Sequence, residues 1–303
     1  MSKIGVHISL FLVSLLYAIL FSWAGQIMPN YLTPEAFVWL RIIVAALLFN
    51  VLGFFVGREK IDIKSDGFLF LVCAFFGTSA NMLMFFKGLS LTKPINGAVL
   101  MMVTPMFVAI IDHIRNRKQP TINTILGLLI GTIGAILLIS SNGIHFSSAT
   151  LIGDIWVAVN AAFYAVYLVY VKKLVHKYKP ITVNRITFGI GVLLIAPFGA
   201  TSLVTANFSA IPTDIWLKIG YTLIFTSFLV YLLNAYGVKH GSPSLVGIYI
   251  YLQPILATLI AVFLGRDNIT VEKLFLIAMV LFGVWLVLTS DKRVLSFKNR
   301  LGE

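Results

Sequence analysis

The chain has 303 residues, of which 59% are hydrophobic and 11% are charged, and its mean hydropathy is +0.97. A soluble domain cannot bury that much apolar surface, so the composition excludes one and indicates that lipid surrounds most of the chain. The formal net charge is +12, but the basic residues lie in short loops between apolar runs. Membrane topology explains that pattern, and no nucleic-acid partner is expected. The single cysteine, Cys73, excludes an intrachain disulfide and a cysteine-based metal cluster.

Ten apolar runs, each of roughly 18–24 residues, are long enough to cross the hydrocarbon core of a bilayer. Because open strands leave backbone groups unpaired in lipid, every run is expected to be an α-helix. The first run begins at Ile4 and is too long for a signal-peptide core, so it is predicted to be a membrane span. The predicted spans lie near residues 5–28, 35–56, 67–89, 95–112, 121–140, 151–172, 181–203, 214–236, 243–264 and 270–290.

The distribution of lysine and arginine predicts the orientation. If the N-terminus is inside, most of these residues fall at cytoplasmic ends, for example in the cluster Lys172, Lys173, Lys177 and Lys179. Such an excess of positive charge marks the cytoplasmic side of a membrane protein. We therefore expect a multi-pass protein of a bacterial inner membrane with both termini in the cytoplasm.

An internal repeat divides the chain. The stretch 88–105 lies over the stretch 237–254 when one is shifted by 149 positions, and the matched residues include Gly88 with Gly237, Pro94 with Pro243 and Pro105 with Pro254. Glycine and proline set backbone geometry, so a fixed offset between them indicates two copies of one structural unit. The predicted units are 1–143 and 150–291, followed by a short basic cytoplasmic tail, 292–303. Each unit holds five spans, an odd number, so the second copy is predicted to be inverted, as in secondary transporters.

Several segments resemble those of EamA-type permeases of the drug/metabolite transporter superfamily. They are PEAFVWLRIIVAALLF at 34–49, GLSLTKPINGAVLMMVTPMFVAII at 88–111, GLLIGTIGAILL at 127–138, GDIWVAVNAAFYAVYLVYVKK at 153–173, the Pro254 segment and FGVWLVLTS at 282–290. Their order and spacing are similar to those of the family over nearly the whole chain. The resemblance implies ten helices in two inverted five-helix repeats around a central cavity for small metabolites, which members of this family often move outward.

Polar residues inside the spans are candidates for a substrate site, because each is costly in lipid. Many of them recur at helical spacing with aromatic residues, a lining that suits neutral or amphipathic small molecules. The predicted substrate-binding residues are Trp23, Arg41, Asn81, Thr104, Asn160, Tyr164, Tyr231, Asn234, Tyr249 and Gln253. Two other interpretations stay open: the asparagines can join helices to one another, and tyrosines near span ends, such as Tyr17, fit the interfacial belt.

Two prolines are predicted to kink their helices. Pro105 and Pro254 follow Thr104 and Gln253 at matching positions, and each removes one helical hydrogen bond from the membrane interior. The freed carbonyls can face a substrate, or the kinks can serve packing alone. In the fifth span, the Gly127-to-Gly131 spacing fits close helix packing, which we expect inside the chain rather than in a homodimer.

Arg41 lies about two turns inside the second span, which leaves its role open. It can bind a substrate carboxylate or phosphate, close an outer gate with Glu35 or Asp154, or extend outward to the membrane surface. No acidic residue lies in the middle of a span, so coupling through a buried carboxylate is not expected. The spans also hold no paired metal ligands and no nucleophile beside a base, so neither a metal, a cofactor nor an enzymatic activity is predicted.

The sequence therefore predicts a secondary transporter that exports or exchanges small neutral or zwitterionic metabolites, such as amino acids, by alternating access. The expected partners are a small-molecule substrate and the lipid bilayer, with the protein as a monomer or a homodimer. An antiporter of anionic metabolites that depends on Arg41 is the second hypothesis. From another class, a non-transporting membrane receptor or structural protein shares the hydropathy, although it would not need an inverted duplication.

Overall fold

The computed structural model describes residues 3–57, 59–92, 94–117, 119–140, 147, 149–263, 265 and 270–301. Within these ranges the chain forms helices joined by short turns and no β-strand, which confirms the all-α prediction. In chain order the helices are α1 (Lys3–Ile27), α2 (Pro34–Val56), α3 (Ile63–Leu91), α4 (Pro94–Met101 and Thr104–Asn116), α5 (Ile122–Ser140), α6 (Leu151–Lys177), α7 (Pro180–Val204), α8 (Thr213–His240), α9 (Pro243–Ile248 and Leu252–Phe263) and α10 (Val271–Leu301).

Eight of the described helices are long and apolar enough to cross a membrane, namely α2, α3, α4 and α6 to α10. Shorter apolar helical stretches lie at Ile4–Leu20 in α1 and at Ile122–Leu138 in α5. Large apolar side chains cover the outside, among them Phe263 at 89% exposure and Val204 at 81%. Lipid is the environment in which such a surface is stable. The protein is a multi-pass membrane protein, while the count of ten spans and the inversion of the second copy stay predictions.

The start of a helix is set in the same way at two places. Thr33 accepts a hydrogen bond from the backbone N–H of Ala36, and Ser242 accepts one from that of Leu245. In each case a proline follows in the first turn, where its missing N–H costs nothing. These hydroxyl–proline pairs fix the first residues of α2 and α9.

Irregular helix occurs at positions that the repeat matches. A π-helical segment lies in α3 at Ala74–Ser79 and another in α8 at Thr222–Leu229, and the two overlap when the first is shifted by 149 positions. Segments of this kind release backbone carbonyls from the regular pattern and are frequent at functional sites. The two copies therefore share a local departure from α-helix as well as their glycines and prolines.

The fourth and ninth helices are interrupted near their middle. In α4 the α-helix stops at Met101 and resumes at Thr104, and in α9 a 3-10 turn, Tyr249–Tyr251, separates the two segments. Pro105 and Pro254 follow these interruptions directly, where the sequence predicts kinks. A proline favours such a break because it lacks the N–H that would continue the helix.

The α5 and α10 helices cross at very close range. A Cβ atom placed on Gly283 would lie 2.6 Å from the backbone nitrogen of Gly131 and 2.7 Å from the carbonyl oxygen of Gly127. Only glycine permits this approach of two backbones. The Gly127-to-Gly131 stretch thus packs against α10 of its own chain, as the sequence predicts.

An ion pair joins the ends of α3 and α6. Lys177 Nζ donates to Asp66 Oδ2 over 2.5 Å, and Tyr178 Oη donates to the same oxygen over 2.8 Å. The Tyr178 hydroxyl also accepts from the backbone N–H of Asp62. Asp66 is 1% exposed, so its carboxylate depends on these partners rather than on water.

We expect Gly283→Ala to destabilise the protein by about 1–3 kcal/mol, because backbone atoms of α5 cannot move aside for the added methyl group. The apparent Tm of the purified protein in detergent measures this effect. Gly189→Ala is the matched control, since a Cβ atom at that helical glycine meets nothing within 4 Å. Equal Tm values for the two variants would contradict the close crossing.

We expect Asp66→Asn to lower the apparent Tm by roughly 2–4 °C, because the amide keeps the shape of the carboxylate but loses the charge that faces Lys177 and Tyr178. Asp214→Asn is the control: Asp214 also pairs with a lysine, Lys218, but its side chain is 65% exposed. Water solvates the exposed side chain of residue 214 when the pair with Lys218 is lost, so the Tm of the Asp214→Asn variant should change little. A larger loss at Asp214 than at Asp66 would show that the buried ion pair does not stabilise the bundle.

Candidate functional site

A cavity lies between the helices of the bundle. Seven helices, α1 to α4, α6, α8 and α9, contribute to its wall. The apolar lining residues are Leu10, Val13, Leu20, Met82, Phe85, Phe86, Met101, Val246 and Ile250, and the polar or hydroxyl-bearing ones are Ser14, Tyr17, Arg41, Asn81, Asn160, Tyr164, Tyr231, Asn234, Tyr249 and Gln253. The wall thus combines apolar side chains with polar groups that can orient a solute.

Most of the predicted site residues meet in this cavity. Those on its wall are Arg41, Asn81, Asn160, Tyr164, Tyr231, Asn234, Tyr249 and Gln253. Trp23 and Thr104 do not line it. Trp23 instead packs edge-on against Tyr221, with the ring centroids 5.0 Å apart. Thr104 is fully buried, and its hydroxyl has no hydrogen-bond partner among the described residues.

Sequence reasoning missed one face of the first helix. Ser14 and Tyr17 line the cavity, and Ser14 Oγ lies 2.7 Å from the carbonyl oxygen of Tyr249, to which it donates. From the sequence alone, Tyr17 fits the interfacial belt equally well. The spacing of Leu10, Ser14 and Tyr17, at i, i+4 and i+7, was the available signal, because it places the three on one helical face.

One further contact extends the site beyond the cavity. His7 lies one turn before the residues of α1 that line the wall, and its Nδ1 is 2.7 Å from Tyr249 Oη. This bond fixes the position of the Tyr249 ring at the wall.

Asn81 and Asn160 join α3 to α6 through a reciprocal pair of bonds. The Asn81 amide donates to the carbonyl oxygen of Asn160 over 3.2 Å, and the Asn160 amide donates to that of Asn81 over 2.7 Å. Each side-chain amide therefore donates from one helix to the other, which agrees with the alternative interpretation that the asparagines join helices. The Oδ1 atom of Asn160 is buried and has no partner among the described residues. Asn160 thus joins two helices and also leaves an acceptor at the cavity wall.

The tyrosines and Asn234 form a second group on the wall. The Asn234 amide donates to Tyr164 Oη over 2.8 Å, whereas its Oδ1 is buried without a described partner. Tyr231 Oη donates over 2.8 Å to the carbonyl oxygen of Gly77, which belongs to the π segment of α3. The rings of Tyr164 and Tyr167 stack at 6.0 Å. These bonds hold the rings in place and leave a second amide oxygen unpaired.

Arg41 lies deep in the bundle, with 2% of its surface exposed. Its Nε donates to Ser227 Oγ over 2.7 Å, and its guanidinium carbon lies 4.3 Å from the centroid of the Phe86 ring. The side chain therefore does not extend toward the membrane surface, which was one of the roles left open by the sequence. Nor does it pair with Glu35 or Asp154, as an outer gate would require. Glu35 pairs with Lys87 at 2.9 Å, and Asp154 accepts from hydroxyl and amide groups near its own helix, including Thr92 Oγ1 at 2.5 Å.

Three buried polar atoms of the lining side chains have no partner among the described residues: one guanidinium nitrogen, Arg41 Nη1, and two amide oxygens. In the described part of the chain no cluster of three or more histidine, cysteine, aspartate or glutamate residues could hold a metal ion. The cavity can thus bind a solute that carries both a hydrogen-bond acceptor and a hydrogen-bond donor.

The comparisons with known proteins agree with this description. The chain is 25% identical over 286 residues to the uncharacterized transporter YyaM of Bacillus subtilis, covering 94% of this chain and 93% of that one. It is 24% identical over 249 residues to an uncharacterized transporter of Archaeoglobus fulgidus, covering 79% and 84%. The crystal structure of another protein matches with a TM-score of 0.76 at 18% identity, covering 97% of this chain and 99% of the other, a likeness of fold alone.

The family assignment rests on both halves of the chain. Residues 5–140 and residues 151–289 each match the EamA-like transporter family. The two matches together span nearly the whole length, and they contain every residue of the cavity wall. The chain therefore belongs to the EamA-like transporter family and is a membrane transporter.

Proposed function

We propose that the protein moves small neutral or zwitterionic metabolites, such as amino acids, through the central cavity by alternating access. The observation that carries the proposal is a set of buried groups that have no partner among the described residues and belong to cavity-lining side chains: a cationic donor on Arg41 and acceptors on Asn160 and Asn234. Buried polar groups are normally paired, so these atoms are available to a ligand. A zwitterion supplies the complement of both, with a carboxylate for the donor and an ammonium for the acceptors.

The apolar part of such a solute would contact the rings and aliphatic side chains of the cavity. Phe85, Phe86, Tyr17 and Tyr249 offer aromatic faces and edges in the same space. Aromatic and aliphatic walls bind by contact area, and the few polar groups provide orientation. This division favours amphipathic solutes over densely charged ones.

The interrupted helices supply a route for conformational change. Pro105 and Pro254 follow breaks in α4 and α9, and Met101, Tyr249 and Ile250 beside those breaks line the cavity. A helix bends most easily where its hydrogen-bond ladder is already broken. In the proposal, the two repeats rock about the cavity with both termini in the cytoplasm of a bacterial cell, and solute leaves by export or exchange.

A second candidate is exchange of anionic metabolites. It is favoured by Arg41, because in the described part of the chain no carboxylate forms an ion pair with this residue. This candidate differs from the first in one property of the solute: an ammonium group is not needed.

Transport tests the proposal directly. Protein in liposomes should accumulate labelled neutral amino acids, and Gln253→Ala should lower the rate by roughly 2–10-fold, as expected for one lost hydrogen bond. Gln119→Ala is the matched control, because Gln119 is exposed in the segment that follows α4 and does not line the cavity.

The solute that is taken up decides between the hypotheses. Accumulation of dicarboxylates or phosphates without amino acids would support the anion exchanger. Failure to move any solute, together with stable co-purification of a partner protein, would support a receptor or structural role instead.

A further inference from the structure

The protein uses only one edge of the Arg41 guanidinium. Nε donates to Ser227 Oγ over 2.7 Å, and Nη2 donates to Thr226 Oγ1 over 3.2 Å. Both acceptors come from the π segment of α8, so α2 and α8 are joined at this point. The Nη1 atom, which is buried, has no hydrogen-bond partner among the described residues.

The π segment fixes the direction of these bonds. The Thr226 and Ser227 hydroxyls each donate over 2.9 Å to the carbonyl oxygen of Thr222, one along a four-residue and the other along a five-residue interval. Because each hydroxyl has a single proton, its oxygen can only accept from Arg41. The guanidinium is thus held in one orientation by two neutral acceptors.

The other edge of the guanidinium, between Nη1 and Nη2, is left without a partner among the described residues. It presents one hydrogen of Nη1 and the second hydrogen of Nη2, since Thr226 uses only one Nη2 hydrogen. This edge has the geometry that binds both oxygens of a carboxylate. Arg41 itself is one of the residues that line the cavity.

The charge of Arg41 lacks a compensating anion in the described part of the chain. The neighbouring ring of Phe86, 4.3 Å away, and that of Phe37, 5.7 Å away, contribute cation–π attraction but accept no conventional hydrogen bond. A buried cation with neutral partners alone is costly in a membrane protein. An anionic group entering the cavity would remove that cost.

We propose that the carboxylate of the transported solute is the counter-ion of Arg41, bound across the Nη1–Nη2 edge, and that Arg41 is the residue that restricts the cavity to carboxylates. The proposal rests on the proposed transport function and narrows it to one ligand class: small amphipathic carboxylates. Thr226 and Ser227 are positioning residues, since they touch Arg41 rather than the solute.

The first experiment changes the ligand and leaves the protein intact. The apparent Tm of wild-type protein in detergent is measured with the proteinogenic L-amino acids and their carboxamides, and then with small mono- and dicarboxylates and their amides. A ligand that binds the folded state raises the Tm. We expect acids to raise the Tm and the matched amides to have at least about a tenfold weaker Kd, because the amide cannot accept two charge-assisted bonds.

The second experiment changes the protein and keeps the ligand. Arg41→Lys keeps the charge, but its ammonium has three hydrogens and cannot donate to two hydroxyls and to both oxygens of a carboxylate, so Kd for the best acid should weaken by about tenfold or more. Thr226→Val should weaken it by a smaller factor, roughly threefold, and should leave the discrimination between acid and amide reduced. The matched control is Thr289→Val. The Thr289 hydroxyl also donates to the carbonyl oxygen of the residue four positions before it, Trp285, but it accepts no hydrogen bond from a described arginine.

The outcomes separate this proposal from the broader one. Stabilisation by carboxylates that lack an ammonium, and not by amino acids, would overturn the zwitterion proposal and keep the role of Arg41. Equal stabilisation by acids and amides would overturn the role of Arg41 and keep transport. Stabilisation by sodium chloride alone to the same extent, or by no compound in either panel, would overturn the carboxylate proposal as well.

Discussion

Backbone pairing in lipid is the constraint on which the rest of the structure depends. Helices satisfy it internally, so every departure from regular helix releases groups that need other partners. The carbonyl oxygen of Gly77 accepts a hydrogen bond from the Tyr231 hydroxyl, and that of Tyr249 accepts one from the Ser14 hydroxyl. The carbonyl oxygen of Thr222 accepts from two hydroxyls of its own π segment. Each of these donors lines the cavity or holds a residue that does. The irregular backbone segments therefore help to position the side chains of the cavity wall.

Regular helices form the close contacts of the bundle, whereas the interrupted helices lie beside the cavity. Gly283 lets α5 and α10 approach within backbone contact, and Asp66 joins the ends of α3 and α6 through buried bonds. These contacts lie away from the cavity wall. The interruptions before Pro105 and Pro254 lie beside it, with Tyr249 at the surface of the cavity. Closely packed interfaces change between discrete arrangements rather than deform continuously. The interrupted helices are accordingly where two arrangements can differ most easily.

Much of the cavity could be predicted from the sequence because lipid makes polar residues informative. Asn160 and Gln253 stand out in apolar runs, and both line the cavity. Tyr17 did not stand out, since a tyrosine in α1 satisfies the interfacial belt equally well. The π segments were not predictable, because hydrophobic periodicity reports a helical face and not the number of residues per turn. Without the π segments, the partners of Arg41 and the depth of its side chain could not be predicted. The packing of Trp23 against Tyr221, the residue directly before the second π segment, could not be predicted either.

The two copies differ at the point where the charge lies. A shift of 149 positions carries Arg41 onto Ile190, and it carries Thr78 of the first π segment onto Ser227 of the second. At the first π segment, α7 approaches closely, since a Cβ atom on Gly191 would lie 2.9 Å from Thr78 Oγ1. The π segments are thus common to both copies, whereas the guanidinium belongs to one. A cavity between two equal copies would present the same groups at both ends and could not distinguish the ends of a solute. Divergence at this matched pair gives the described cavity wall its guanidinium, and the proposed carboxylate site depends on that group.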